Sequence, residues 1–161
     1  MSVTAGESGS SPASNVSWSS SNHDVVTVSA SGLITASKKG GATITATSGT
    51  LSGQLNVAVV PGQPVSIQIV SGNGQTAPHG STLPDPLCTA VLDAAGNFIT
   101  GITVTYTVAT GGGTIAAPTA PATDAGGIAI SGHWTLGSGI GQQSVTATAS
   151  VGSITFTANS Q

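Results

Sequence analysis

Acid–base, metal and thiol chemistry could rest on only a few side chains in this chain. They are the acids Glu7, Asp24, Asp85, Asp93 and Asp124, the histidines His23, His79 and His133, and the single cysteine Cys88. Calcium wants about six to eight oxygens, several of them from carboxylates. Asp93-Ala94-Ala95-Gly96-Asn97 and Asp124-Ala125-Gly126-Gly127 look superficially like calcium loops. The acids are well separated, however, and Asp followed by Gly is what a tight turn needs. The carboxylate bonds amides ahead of it, and glycine takes the left-handed position. Turns are expected there, and no metal site. The histidines share no ligand spacing. His23 and His79 fall in turn regions, and His133 should face away from whatever its neighbour Trp134 packs on.

Nucleophilic catalysis fares no better. No Gly-x-Ser-x-Gly elbow lies between a strand and a helix. Cys88 with a distant histidine is not a motif. It reads as a small buried hydrophobe, and a lone cysteine allows no intrachain disulfide. No carboxylate pair suggests glycoside hydrolysis. Gly111-Gly112-Gly113 lacks the lysine and helix of a phosphate loop and reads as a flexible connection. Asn15-Val16-Ser17 matches the glycosylation acceptor only by chance. The chain is therefore read as no enzyme, with no catalytic, cofactor-binding or metal-ligating residue and no cofactor.

Composition narrows the partners. Charged residues make up 4% of the 161 residues and net charge is −3, against roughly 25% charged in ordinary domains. The only cations are Lys38 and Lys39. Neutralising phosphates takes many Lys and Arg, so nucleic acid is not expected as a partner. An electrostatically held membrane-surface role fails for the same reason. No apolar run approaches the roughly 18 residues of a membrane span. A surface with so little charge repulsion should associate readily with other proteins or with itself.

The elements that must carry these residues are strands. Apolar and small polar residues alternate, and Gly, Asn and Ser break the runs. Strands are expected at 2–5, 15–19, 25–29, 33–36, 42–48 and 53–60. They resume at 65–70, 87–92, 102–108, 113–115, 127–134, 143–149 and 153–158. Patterning stops at Pro61-Gly62-Gln63-Pro64, a short and semi-rigid linker. Two domains follow, at residues 1–60 and 65–161. The chain is all-β with no significant helix, and the seven short strands of the second domain suggest a Greek-key β-sandwich. Trp18 and Trp134 are large fillers between sheets. The inward positions include Val26, Val28, Ile44, Tyr106, Val145 and Phe156. Pro84 and Pro86 should kink the approach to the strand at Cys88 and keep that edge unpaired.

Two families share these strings. Val16-Ser17-Trp18-Ser19-Ser20-Ser21-Asn22, then Val25-Val26-Thr27-Val28, Gly32-Leu33-Ile34-Thr35-Ala36 and Ala42-Thr43-Ile44-Thr45-Ala46-Thr47, closely resemble the bacterial Ig-like domain of group 2. Leu92-Asp93-Ala94-Ala95-Gly96-Asn97, Gly101-Ile102-Thr103-Val104-Thr105-Tyr106, Thr123-Asp124-Ala125-Gly126-Gly127-Ile128-Ala129, Trp134-Thr135-Leu136-Gly137 and Gly141-Gln142-Gln143-Ser144-Val145-Thr146-Ala147 resemble the group 1 domain of invasin and intimin type. The first resemblance implies one more strand before the run at 2–5. An absent edge strand leaves backbone groups near Val3 open for docking. Both resemblances imply two immunoglobulin-like Greek-key β-sandwich domains in tandem, and a place outside the cytoplasmic membrane, in the periplasm or on the cell surface. No secretory signal follows Met1, so Met1 is expected not to be the natural start.

Three roles fit. The favoured one is a subunit that docks on a larger envelope assembly, which could itself be a membrane complex, and stabilises it. The second is a spacer or stalk fragment of a surface adhesin. The third is a module binding carbohydrate or a host receptor, for which Phe98, expected exposed in the turn after Asn97, is the contact residue.

Overall fold

The structure, a computed structural model, describes residues 15–161. The strand expected at 2–5, with Val3, lies outside them. The chain divides into two compact units, Met1–Pro61 and Gly62–Gln161. The described residues form fourteen strands and no helix.

In the first unit, β1 (Ser17–Ser20), β4 (Gly40–Ser48) and β5 (Leu51–Val59) make one antiparallel sheet in the order β1-β4-β5. β2 (Val26–Val28) and β3 (Ile34–Ala36) make a second, two-stranded sheet. Thr and β-branched residues suit such half-buried, pleated surfaces. The β4–β5 hairpin turns through Gly49-Thr50, with Gly49 at φ 59°, a conformation that suits glycine at the first position of a two-residue loop. The core comprises Val25, Val26, Ala42 and Ile44. Trp18, Val28, Ile34, Leu55, Val57 and Val59 pack against it while only partly buried.

The second unit has β6 (Ser66–Ser71), β7 (Gln75–Ala77), β8 (Cys88–Leu92), β9 (Thr105–Thr110), β10 (Thr114–Ile115), β11 (Ile128–Ile130), β12 (Trp134–Thr135), β13 (Gly141–Ala149) and β14 (Gly152–Ser160). A sheet ordered β11-β8-β6 packs against one ordered β7-β14-β13-β9, and β10-β12 forms a small third sheet. Successive strands β8 and β9 lie in opposite sheets, the Greek-key crossing of an immunoglobulin-like sandwich. Trp134, Val145 and Phe156 are fully enclosed with Leu83, Leu87, Val91 and Val104. The Tyr106 ring lies tilted at 45° to that of Phe156, with centroids 6.2 Å apart.

Three expectations need correction. The run at 127–134 is not one strand. It breaks at Ser131-Gly132-His133, so that Ile128–Ile130 pairs with β8 and Trp134–Thr135 with β10. A Cβ at Gly132 would strike the carbonyl oxygen of Ala116, so this crossing needs glycine. The prolines at 84 and 86 do not leave an edge unpaired. β8 is the central strand of its sheet, and just ahead of it the Ser131 N–H already bonds the Leu87 carbonyl at 3.0 Å. Ahead of it, the Gln75 side chain takes the place of a strand: its Nε2 donates to the carbonyls of Gly72 and Asp85, and its Oε1 accepts from the Asp85 N–H. Finally, Gly111-Gly112-Gly113 is closely packed at both ends and open only at Gly112. Cβ atoms at Gly111 and Gly113 would strike Gln143 and the Thr135 carbonyl.

Candidate functional site

The two Asp turns share one geometry. Asp93 Oδ1 accepts from the N–H groups of Ala95 (2.9 Å) and Asn97 (2.8 Å). Asp124 Oδ1 accepts from those of Gly126 (2.8 Å) and Ile128 (3.0 Å). Asp93 goes further, because its Oδ2 accepts from the Asn97 amide (3.0 Å) and from the Gly62 N–H (2.8 Å). Gly62, which the sequence places in a linker, is thus tied to the second unit. Asp93 is 6% exposed. The Asn97 side chain, then Gly62, hold its carboxyl down at about 2 from an ordinary 3.8, with smaller help from the Asn97 and Ala95 amides, while burial opposes them. These oxygens already face N–H donors, so they offer no cation cradle. Among the described residues no three His, Cys, Asp or Glu side chains gather as a metal site.

The structure scatters the remaining candidates. His79 Nδ1 lies 3.1 Å from the Gln161 carbonyl and His133 Nδ1 lies 3.0 Å from that of Leu83. A carbonyl only accepts, so in both rings Nδ1 carries the proton. His23 is exposed on the first unit, and Cys88 is buried. Phe98 is half-buried rather than exposed. It forms an isolated bridge with Leu92, and its Cβ and backbone fill the space beside Gly127.

Two buried polar groups were hidden in the strand pattern. The Tyr106 hydroxyl donates to the Ala129 carbonyl (2.9 Å) and accepts from Thr89 Oγ1 (2.8 Å). Burial pushes it up to about 12, partly offset by the Thr89 bond. Gln143 points inward from β13. Its Oε1 accepts from the Gly137 N–H (2.8 Å) and its Nε2 donates to the Gly139 carbonyl (2.8 Å), which fixes the loop before β13. An apolar-polar alternation marks such a position as outward or broken. Its only signal is a Gln in register with the buried Val145 and Ala147.

What remains is a surface feature, the outer edge of β5. Gly40 pairs with Val59 and Ser48 with Leu51 in the first hairpin, and Gly141 pairs with Ser160 and Ala149 with Gly152 in the second. The two hairpins are therefore equivalent position for position. Trp18 opposite Ala46 corresponds to Tyr106 opposite Ala147. In the second unit β7 runs parallel to β14 and covers its outer edge. In the first unit β5 pairs only with β4 among the described residues.

Residues 1–59 match the family model of the bacterial Ig-like domain (group 2).

The Ig-like assignment thus covers the first unit up to Val59. No curated protein sequence matches the chain. Solved structures of similar fold include surface layer protein SbsC, domains 4–9, at 19% identity and TM-score 0.46, covering 96% of this chain and 23% of that one. The Yersinia pseudotuberculosis adhesin InvE matches at 18% identity and TM-score 0.49, covering 91% and 49%. The D0-D1 domain of intimin matches at 18% identity and TM-score 0.42, covering 96% and 84%. The chain spans about a quarter of the length of the SbsC structure.

Proposed function

We propose that this chain is a non-enzymatic structural module of the bacterial envelope, acting outside the cytoplasmic membrane. It docks through its Ig-like sandwich surfaces onto a larger protein assembly and stabilises it. The observation that carries this reading is the match of the first unit to a bacterial Ig-like domain. The side chains that could do chemistry support it, because Asp93, Asp124, His79 and His133 are committed to backbone groups of their own unit. The second unit is read as a group 1 domain on the strength of its Asp-turn and Trp134-Thr135-Leu136-Gly137 strings.

Fractionation of the native source tests this reading. The chain is expected in the envelope fraction, co-migrating with an assembly much larger than itself after mild solubilisation. Recovery from the cytoplasm at the mass of the chain alone or of its dimer would overturn it.

A further inference from the structure

In the second unit β7 runs parallel to β14, whereas the other ladders are antiparallel. Gln75 stands opposite Ala158, Thr76 opposite Asn159 and Ala77 opposite Ser160. Further bonds lengthen the pair at both ends. At its start the Gly74 N–H donates to the Thr157 carbonyl (2.8 Å), and the Thr157 N–H donates to Asn73 Oδ1 (2.8 Å). At its finish the Gln161 N–H donates to the Ala77 carbonyl (3.0 Å). The Gln161 carbonyl accepts from the His79 N–H (2.9 Å) and from His79 Nδ1 (3.1 Å). A three-residue strand is thereby held along residues 73–79. Gln75 also ties it sideways to Gly72 and Asp85.

Strand direction decides how this pair takes a load. The chain enters β7 at Gln75 and leaves β14 at Ser160, and the register puts these residues at opposite ends of the pair. Tension along the chain therefore draws the two strands past each other along their own axes. The bonds of a parallel pair are evenly spaced, so they share such a load and must fail together. A hairpin pulled open from one end loses its bonds one after another, each carrying the load alone. The pair also lies on both routes by which tension can dismantle the unit. Extraction from the N-terminal side breaks the Gly62 and Val65 bonds to Asp93 and Leu92 and the β6–β8 ladder, and then β7 from β14. Extraction from the C-terminal side breaks β13–β14 and again β7–β14.

We propose that the β7–β14 pair is a mechanical clamp, which keeps the second unit folded when the chain is under tension. Such a task needs no cofactor and no reactive side chain. It stands on strand direction and bonding, not on the proposed cellular role.

Force spectroscopy at constant force, on the full chain held by its two ends, tests it. Fully extended, Gly62–Gln161 spans about 330–360 Å and Met1–Pro61 at most about 220 Å, so the length released identifies the second unit's step. Asn73→Ala removes the acceptor of the Thr157 N–H. At a fixed force it should speed that step about 2- to 12-fold, the effect of one hydrogen bond. Thr76→Pro removes the N–H that alternation from Gly74 points at β14, and should speed the step at least as much. Tyr106→Phe removes bonds to Ala129 and Thr89 and none between β7 and β14. Contacts still intact when the clamp breaks do not alter the unfolding rate, so this variant should weaken the unit in denaturant yet unfold under force within about twofold of the parent rate. Asn73 is exposed, so Asn73→Ala decides the matter if the proline variant does not fold. Parent rates in Asn73→Ala and in a folded Thr76→Pro would overturn the proposal. So would a Tyr106→Phe chain that unfolds under force as fast as Asn73→Ala, because force resistance would then follow overall stability and not the clamp.

Discussion

At the scale of single residues, Asp93 is the group whose ionisation matters most. Its carboxyl titrates at about 2 in the folded unit, below the ordinary 3.8. A depressed pKa means the stabilisation is fully present above about pH 4 and is lost as pH falls from there through 2. Asp93→Asn replaces one accepting oxygen with a donor that faces the Gly62 or Asn97 N–H groups. Thermal unfolding of the two proteins between pH 6 and 2 should therefore converge toward the acid end, with the variant less stable at pH 6. Curves that stay parallel would show that Asp93 does not supply the slope. The turn itself was legible, since Asp and Gly stand at turn spacing. Its fourth donor was not, because Gly62 comes from 31 positions away. Tyr106 makes a second case. Tyr106→Phe leaves the Ala129 carbonyl and the Thr89 hydroxyl without their partner in a buried site, which should cost about 1–3 kcal/mol in denaturant unfolding. A loss below a few tenths would mean that the pair finds other partners.

At the scale of elements, period-2 patterning marked β4, β5, β13 and β14 because these strands bury one face and expose the other. It misplaced what depends on distant neighbours. β7 is three residues of Gln-Thr-Ala between Gly74 and Pro78, and it is a strand only because β14 offers a parallel edge to it. The break between β11 and β12 was equally silent, since Ile128, Ile130 and Trp134 continue a plausible alternation across it. Gly132 is what allows the chain to change sheets there. Its N–H bonds the Pro118 carbonyl at 3.0 Å, and the backbone of Ala116 and Ala117 occupies the place of a side chain. Gly132→Ala should destabilise the second unit by about 1–3 kcal/mol or more, because backbone must shift to admit the methyl group. Chemical denaturation measures this directly. A neutral result would mean that the segment at 116–118 yields freely, which its bond to Gly132 argues against.

At the scale of the whole molecule, the scarcity of charge was readable from composition and governs behaviour in solution. With a net charge of −3 and a sequence pI near 5.2, solubility should be least near pH 5, where repulsion vanishes. Salt then separates two kinds of association. Contact between oppositely charged patches weakens as the Debye length falls from about 10 Å at 0.1 M to about 3 Å at 1 M. Contact through the uncharged surface that makes up most of this chain, 4% charged residues in all, carries no such dependence. A self-association constant should therefore change by less than about threefold between those salt concentrations, a shift of under 1 kcal/mol, as read by sedimentation equilibrium at pH 7. A strong loss of self-association with salt would point to Lys38, Lys39 and the scattered acids as the adhesive groups.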